Sequence, residues 1–372
     1  MDQIPAIATA RHGRVVIDMG RGSSTFNVFD HLAAPLTPQD LRRCAPYGAI
    51  LGHAELRAAI CDHYQATFGH HLDPSRICVT NGASEGLLLA LSLLVGAGDE
   101  VIIPEIGYPA YRALVTMLGG ICRACPIAPD GRLDLAALRR LLSPRTQALI
   151  VNSPSNPLGR ALSREALESI ADLGVTVLYD EVYQPLPIDD ERELASAIHL
   201  SERHFVVNSL SKSVGLAGLR VGYLVVPPGA RRSIADAKAA LNISTQTPGQ
   251  LVALAVLRRW DELVRAHRTM LRAHWSVFLR ALARNGLRLY AAPEAGFFAT
   301  IDTRGAGIPS YEIAAALARM HGLCTVPGSE FGGGDPGFLR LNFSCHADHI
   351  EPALAQIGAF LEGRRSACAN GR

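Results

Sequence analysis

Lysine is nearly absent from this sequence: its 372 residues include two lysines against thirty-four arginines. Arginine can replace lysine on a solvated surface, but a guanidinium keeps its charge and cannot become a nucleophile. A lysine kept in such a chain is therefore a candidate for amine chemistry. Lys212 fits that role, because hydroxyls and small residues surround it in the run 209–215. Lys238, flanked by alanines, is instead predicted to be an ordinary exposed side chain.

Other features are missing as well. The longest apolar run, residues 87–97, is too short for a bilayer-spanning helix, and the first residues lack a signal-peptide pattern. The net charge is +2 and no dense basic run occurs, so neither a nucleic-acid nor a membrane partner is predicted. Eight scattered cysteines favour a reduced, cytoplasmic protein. Cys122 and Cys125 have metal or redox spacing but no second pair, so they are interpreted as strand residues and no metal site is predicted.

Short apolar runs alternate with helical patterns over residues 76–226. This alternation predicts an α/β fold with a mostly parallel, seven-stranded sheet sandwiched by helices. A long helical stretch is predicted over roughly 248–285, and mixed segments after it indicate a smaller α+β domain. The predicted strands are 77–80, 100–104, 120–125, 148–152, 175–180, 205–208 and 221–226. The predicted units are an N-terminal arm with part of the small domain (1–45), a large domain (46–275) and a small C-terminal domain (276–372).

Polar and reactive residues follow several of these strands. Ligands of open α/β sheets bind at the carboxyl ends of the strands, so these side chains are expected to converge. Small residues after the first strand offer helix amides to an anion. With an aromatic ring, a carboxylate, a phenol and an amine at neighbouring ends, the pattern indicates a site for a phosphorylated heteroaromatic aldehyde. The residues concerned are 81–86, Tyr108, Asn156, Asp180, Tyr183, Ser209 and Lys212.

Four motifs occur in a characteristic order: Asn-Pro-x-Gly at Asn156, Asp-x-x-Tyr at Asp180, Ser-x-x-Lys at Lys212 and an arginine at 340 within Phe-Leu-Arg-Leu-Asn-Phe. Together they make the chain, from about residue 16 to 361, resemble the class I/II aminotransferases. These are pyridoxal-phosphate enzymes of the aspartate-aminotransferase fold (fold type I).

The resemblance implies a role for each matching residue. Lys212 would form the imine with pyridoxal 5'-phosphate and later move the proton, Asp180 would pair with the pyridine nitrogen, and Tyr108 would stack on the ring. The implied phosphate contacts are Ala83, Ser84, Ser209, Arg220 and, from the neighbouring subunit of a homodimer, Tyr47. Asn156 and Tyr183 would bind the ring oxygen. Gly22, Asn156 and Arg340 would contact the substrate, with Arg340 gripping its carboxylate.

Structural alternatives stay open for several of these residues. Asp180 could cap a helix, Tyr108 could be a core aromatic and Arg220 a structural ion-pair partner. Arg340 is brought to the site by the family pattern alone. The segment 22–27 could read the substrate side chain through Ser23 and Ser24, or simply close over the cleft.

One segment departs from the family. Gly22-Ser-Ser-Thr-Phe26 stands where family members commonly have Gly-Glu-Pro-Asp-Phe, and no second arginine occurs near 243–248 for a distal carboxylate. We therefore expect amino-group transfer between a 2-oxo acid and an amino acid with a polar or basic side chain. The alternative is β/γ-elimination or elimination with cyclisation, because the segment 18–32 is similar to that of the pyridoxal-phosphate cyclase that makes capreomycidine. A DNA-binding regulator and a nicotinamide dehydrogenase are disfavoured, because a basic recognition helix and a Gly-x-Gly-x-x-Gly turn are both missing.

Overall fold

The computed structural model describes residues 3–13, 16–32, 36–189 and 191–370. The remaining residues of the predicted N-terminal arm and of the two domains lie outside the described ranges. The strands are β1 (Ile17–Asp18), β2 (Ile77–Asn81), β3 (Glu100–Pro104), β4 (Ile121–Cys125), β5 (Thr146–Asn152), β6 (Thr176–Asp180), β7 (Phe205–Ser209), β8 (Val221–Val225), β9 (Leu289–Ala291), β10 (Phe298–Asp302), β11 (Leu323–Cys324), β12 (Val326–Pro327) and β13 (Phe338–Asn342).

The helices alternate with the strands in the first part of the chain and dominate it after β8. They are α1 (Gln3–His12), α2 (Pro38–Arg42), α3 (Ala54–Phe68), α4 (Ala83–Leu94), α5 (Ala110–Met117), α6 (Leu135–Leu141), α7 (Arg164–Ala171), α8 (Leu210–Ser213), α9 (Arg231–Asn242), α10 (Thr247–Leu257), α11 (Trp260–Arg284), α12 (Ser310–His321) and α13 (Ala347–Asn370). Among the described residues, no helix combines the length and apolarity needed to cross a bilayer.

The large sheet contains the seven predicted strands, in the order β2-β8-β7-β6-β5-β3-β4. All neighbouring pairs are parallel except those of β8, which runs antiparallel to β2 and β7. The prediction of a mostly parallel sheet covered by helices is confirmed. Strand residues alternate between two buried cores, with Val206 on one face of the sheet and Val207 on the other. This double burial explains why the strands have continuous apolar runs.

A four-stranded antiparallel sheet, β12-β13-β10-β9, follows the long helix α11. The N-terminal segment joins this part of the chain, because β1 pairs in parallel with β11 and Ile4 and Ala8 of α1 lie in the same core as residues of α12 and α13. The packing agrees with an N-terminal arm that belongs partly to the small domain. The domain limits themselves stay a prediction.

The expectation about Lys238 is wrong, and the helical stretch predicted over 248–285 is divided into two helices. The chain turns at Arg258 and Arg259 between α10 and α11. Neither glycine nor proline marks this break. Instead, the Arg259 guanidinium pairs with Glu262 in the first turn of α11 and donates to the His31 carbonyl at 2.6 Å. Lys238 is not exposed: it is 0% exposed and forms an ion pair with Glu85.

Cys122 and Cys125 both lie on β4, as interpreted from the sequence. Their three-residue spacing places them on opposite faces of the sheet, and Cys122 packs against one core while Cys125 belongs to the other. Two thiols so separated cannot hold the same metal ion or form a disulfide with each other.

Candidate active site

The strand order of the large sheet brings the chemically active residues to one edge. β5, β6 and β7 are parallel neighbours that end at Asn152, Asp180 and Ser209, and Asn152 lies opposite Asp180 in the register. β8 runs in the other direction, so its first residues lie at the same edge, with Gly222 opposite Ser209. Arg220, which directly precedes β8, therefore reaches an edge where the parallel strands end.

Lys212 lies in the short helix α8 directly after β7. Its side chain is half-buried, and its Nζ donates to the Gly22 carbonyl oxygen at 2.5 Å. Burial lowers the pKa of Lys212 to about 8, and the nearby Arg340 and Arg220 guanidinium groups add to this effect, while Asp180 opposes it. A lysine with this pKa has a useful fraction of neutral amine near neutral pH.

Asp180 is buried at the end of β6. Its Oδ2 accepts a hydrogen bond from the Tyr111 hydroxyl at 2.6 Å, and its Oδ1 accepts one from the Val182 amide at 3.3 Å. Burial raises the pKa of Asp180, whereas these hydrogen bonds and Lys212 act in the opposite direction. Tyr111, the second residue of α5, was not identified from the sequence, because its hydroxyl bonds to a carboxylate 69 residues away along the chain.

Three tyrosines cluster around this carboxylate. Tyr108 is half-buried, and its ring packs edge-on against the Tyr111 ring with centroids 5.5 Å apart. Tyr183 is buried against the rings of Phe297 and Phe298, and burial raises the pKa of its hydroxyl. Tyr111 therefore supports both an aromatic surface and the Asp180 carboxylate.

Arg340 lies on β13 and is only 2% exposed. Its guanidinium stacks on the Phe298 ring at 4.1 Å and donates to the Gly20 carbonyl at 2.7 Å and the Asn156 Oδ1 at 3.3 Å. Its Nε has no hydrogen-bond partner, and no carboxylate of the described residues pairs with the group. Burial lowers the pKa of Arg340 to about 10. A buried cation without a counter-ion is suited to an incoming carboxylate.

The turn between β2 and α4 forms a second part of the site. Gly82, with φ 77°, precedes Ala83, the first residue of α4, and Ser84 in that first turn is exposed. The Arg220 guanidinium lies against this turn, where a Cβ at Gly82 would overlap it, and its Nη2 donates to the Asn81 carbonyl at 3.4 Å. First-turn amides and an exposed guanidinium make an anion site.

Ser209 caps the α8 helix rather than pointing freely outward. Its Oγ accepts from the Ser211 amide at 3.0 Å and lies 2.9 Å from the Val221 carbonyl oxygen and 2.8 Å from Ser211 Oγ. This network fixes the start of the helix that carries Lys212.

The segment 20–24 forms the opposite wall and is held by its backbone carbonyls. Arg340 binds the Gly20 oxygen, Lys212 binds the Gly22 oxygen, and Asn342 Nδ2 donates to the Arg21 and Ser23 oxygens at 3.0 and 2.8 Å. Gly22 therefore contacts Lys212 directly. Asn342, two residues after Arg340 on β13, was not identified from the sequence.

The Ser24 hydroxyl is committed to an internal chain of hydrogen bonds. His267 is fully buried on α11, and burial lowers its pKa to about 4, so the ring is neutral. Its Nδ1 lies 2.8 Å from the Ser213 carbonyl, which only accepts, so this nitrogen carries the proton. The His267 Nε2 then accepts from the Ser24 hydroxyl at 2.8 Å, and Ser344 bonds to the same hydroxyl. Ser24 is therefore poorly placed to read a substrate side chain.

Tyr47 is predicted to contact the phosphate of a neighbouring subunit, and its side chain is 81% exposed in the single chain. The other implied site residues lie around the strand ends and the 20–24 segment.

These residues fit pyridoxal phosphate in their donor chemistry. The turn at 82–84 with Arg220 offers an anion site for the phosphate, the buried Asp180 carboxylate lies close enough to Lys212 to affect its pKa, and Arg340, which has no carboxylate partner among the described residues, is available to a second anion.

Comparisons with known proteins agree with this geometry. The model of the family described as aminotransferase class I and II matches residues 14–357. The chain is 35% identical over 333 residues to the probable N-succinyldiaminopimelate aminotransferase DapC of Mycobacterium tuberculosis, covering 84% of each protein. It is 27% identical to the arginine–pyruvate transaminase AruH of Pseudomonas aeruginosa, over 95% of this chain and 91% of that protein.

A solved structure shows the same likeness. The N-succinyldiaminopimelate aminotransferase structure from Mycobacterium tuberculosis has a TM-score of 0.87 and 31% identity, and the match covers 96% of both chains. The fold, the site geometry and these matches lead to one conclusion: the chain belongs to the class I and II aminotransferases, pyridoxal-phosphate-dependent enzymes that transfer an amino group between an amino acid and a 2-oxo acid.

Proposed function

We propose that Lys212, Asp180 and Arg340 carry the amino transfer in this chain, and that the amino donor has a polar or basic side chain. One observation supports the first part. Lys212, a half-buried amine of lowered pKa, lies near the buried Arg340 guanidinium, which has no carboxylate partner among the described residues. When bound, pyridoxal phosphate supplies an aldehyde that condenses with amines and a ring that withdraws electrons from the attached carbon.

Arg340 binds and orients the substrate. A carboxylate held by its two-pronged guanidinium would lie beside Asn156 Oδ1 and above the Phe298 ring. This anchor fixes the α-carbon relative to Lys212 and so selects which of its bonds is presented.

Lys212 moves the proton. Its Nζ, neutral in part because of its lowered pKa, would accept the proton from the substrate α-carbon as a general base and donate it, as a general acid, to the cofactor carbon that had carried the aldehyde. Asp180 would hold positive charge on the ring nitrogen by a charge-assisted hydrogen bond, and the Tyr111 hydroxyl keeps the Asp180 carboxylate in place. Tyr108 would stack on the ring, and Tyr183 and Asn156 would bind the ring oxygen.

In this proposal Ser23, and not Ser24, forms the hydrogen bond to the substrate side chain. The Ser24 hydroxyl is satisfied by His267, whereas the half-buried Ser23 contributes only its carbonyl to a described hydrogen bond. A relative with a name stating an arginine substrate supports a basic side chain. Ser23→Ala is expected to raise the KM for the best donor several-fold, and Ser24→Ala to leave KM unchanged while lowering the Tm.

A homodimer that shares its active sites is proposed as the working assembly. Tyr47 is exposed in the single chain, and Ile50 and Ile243 are exposed apolar side chains. Burying such groups against a second copy would remove apolar surface from water and bring Tyr47 to the partner's phosphate site. The seven described cysteines are free thiols, which supports a reducing compartment such as the cytoplasm.

An amino-acid panel tests the reaction. Each amino acid is mixed with the purified holoenzyme, and the absorbance change that accompanies conversion of the cofactor aldehyde to its amine is recorded together with 2-oxo acid and ammonia. We expect one 2-oxo acid per cofactor converted and no ammonia. Stoichiometric ammonia release would instead identify elimination, and a cyclic amino-acid product would identify elimination with cyclisation.

A further inference from the structure

The second lysine, Lys238, lies close to the turn between β2 and α4 that is proposed to bind the cofactor phosphate. Lys238 projects from α9, and its Nζ donates to Glu85 Oε1 at 2.5 Å. Glu85 is in the first turn of α4, two residues after Ala83, and is itself buried. The ion pair therefore joins α9 to the helix whose first amides form the anion site.

The Lys238 ammonium is fully satisfied. Besides Glu85, it donates to Thr245 Oγ1 at 2.9 Å and to Asn242 Oδ1 at 3.1 Å, which accounts for its three donors. A planar guanidinium with five donors does not fit this tetrahedral arrangement. This geometry gives a physical reason for a lysine at 238 in a chain that otherwise uses arginine.

Glu85 in turn holds the backbone of the turn. Its Oε2 accepts the Asn81 amide at 2.5 Å, while Arg220 Nη2 donates to the Asn81 carbonyl from the other side. Thr245, which Lys238 also binds, donates to the Val79 carbonyl on β2 at 2.9 Å. The residue that precedes Gly82 is thus fixed at both its amide and its carbonyl.

The charge of Glu85 would oppose a phosphate at this turn unless it were neutralised. Like charges held a short distance apart in a partly buried site repel more strongly than they do in water. From these contacts we infer that Lys238 is a positioning residue for the cofactor phosphate: it cancels the Glu85 charge and lets that carboxylate shape the turn. The inference rests on the proposed pyridoxal-phosphate site and assigns Lys238 no part in the chemistry at Lys212.

The test compares a probe that carries the phosphate with one that lacks it. The full-length protein is freed of cofactor and titrated with pyridoxal phosphate and with pyridoxal, for wild type, Lys238→Met and the double variant Lys238→Met/Glu85→Gln. Lys238→Met is expected to weaken pyridoxal phosphate at least tenfold, about 1.4 kcal/mol, and pyridoxal by less than about twofold. The double variant removes the uncompensated charge, so it should recover most of the lost affinity.

Several results would overturn the inference. An equal loss for both probes would show a purely structural role, and unchanged affinity in Lys238→Met would show no role. If Lys238→Met does not fold, the variant Glu85→Gln tests the inference instead. It removes the negative charge and leaves the Lys238 ammonium near the turn. A loss of affinity for pyridoxal phosphate but not for pyridoxal in this variant would contradict the inference. Failure of wild type to form a borohydride-reducible link at Lys212 would instead contradict the proposed cofactor site.

Discussion

The two lysines of this chain occupy opposite kinds of site. Lys212 is half-buried, has one described acceptor, the Gly22 carbonyl, and lies near two guanidinium groups that help lower its pKa to about 8. Lys238 is more deeply buried, yet it has three acceptors, one of which is a carboxylate. Burial lowers the pKa of the Lys212 amine, which has no bonded carboxylate, and the nearby positive charge adds to the effect. The Lys238 ammonium is instead bonded to a carboxylate.

Replacing Lys212 should have the largest effect on activity of all the substitutions considered. If activity survives, the contrast between the two lysines is wrong. Lys212→Met removes the only amine in the described cleft, so turnover should fall by at least about 10³-fold, the range expected when a general base is lost. Borohydride treatment should no longer link the cofactor to the chain. Steady-state kinetics and mass spectrometry measure both effects, and Arg304→Gln, which alters an arginine paired with Asp302, serves as the control because it should keep the covalent link.

The free energy of unfolding should fall more when Lys238 is replaced than when Lys212 is replaced. Lys238→Met leaves the Glu85 carboxylate buried without its cation, which typically costs about 3–5 kcal/mol. Lys212→Met removes no ion pair and should not lower the free energy of unfolding. Urea denaturation of the two variants, with the Lys238→Met/Glu85→Gln double variant as the control, measures this difference. Equal destabilisation by the two single substitutions would show that the two sites do not differ as described.

Each lysine has a buried carboxylate near it, Asp180 for Lys212 and Glu85 for Lys238. The Asp180 carboxylate accepts a hydrogen bond from the Tyr111 hydroxyl. Tyr111→Phe removes a donor that keeps the pKa of Asp180 down, so the carboxylate should become a poorer partner for a ring nitrogen. We expect kcat to fall about tenfold, consistent with the loss of one hydrogen bond to a charged group. Tyr179→Phe is the matched control, because its hydroxyl is also buried but donates to the Leu167 carbonyl. A similar fall in both variants would exclude a specific role for Tyr111.

The smallest expected effect is a shift in pH dependence. The neutral Lys212 amine increases as pH rises through about 8, so the rate at which the cofactor-free protein captures the cofactor aldehyde should rise over the same range. Arg340→Gln removes a cation that lowers this pKa, so the midpoint should move upward. Stopped-flow absorbance measures it, and Arg304→Gln, which alters an arginine paired with Asp302, should leave it in place. An unchanged or lower midpoint in Arg340→Gln would contradict the proposed electrostatics.

The sequence predicted the sheet well because doubly buried strands leave continuous apolar runs, and β3 matches its predicted limits at both ends. It also predicted that Lys212, Asp180 and Arg220 lie at one edge of the sheet, because Asp180 ends one strand, Lys212 closely follows another and Arg220 directly precedes a third. It could not identify Asn342, His267 or Tyr111, since their roles arise from contacts between segments far apart in the chain. Lys238 was misread because its acceptors are Glu85, Asn242 at the end of α9 and Thr245 beyond it, and the flanking alanines gave no sign of them.

The hydrogen bonds accepted by the four carbonyl oxygens of residues 20–23 lower the affinity of the site for its ligands. Two of their donors, Arg340 and Lys212, are the groups that a substrate carboxylate and the cofactor aldehyde would engage. Binding is therefore an exchange of hydrogen-bond partners, in which the backbone competes with the ligand for the same donors. Each exchange subtracts about 1 kcal/mol from the observed affinity. It also loosens the segment on that side, so resistance of the bonds near Gly22 to limited proteolysis would report how far the cleft is occupied.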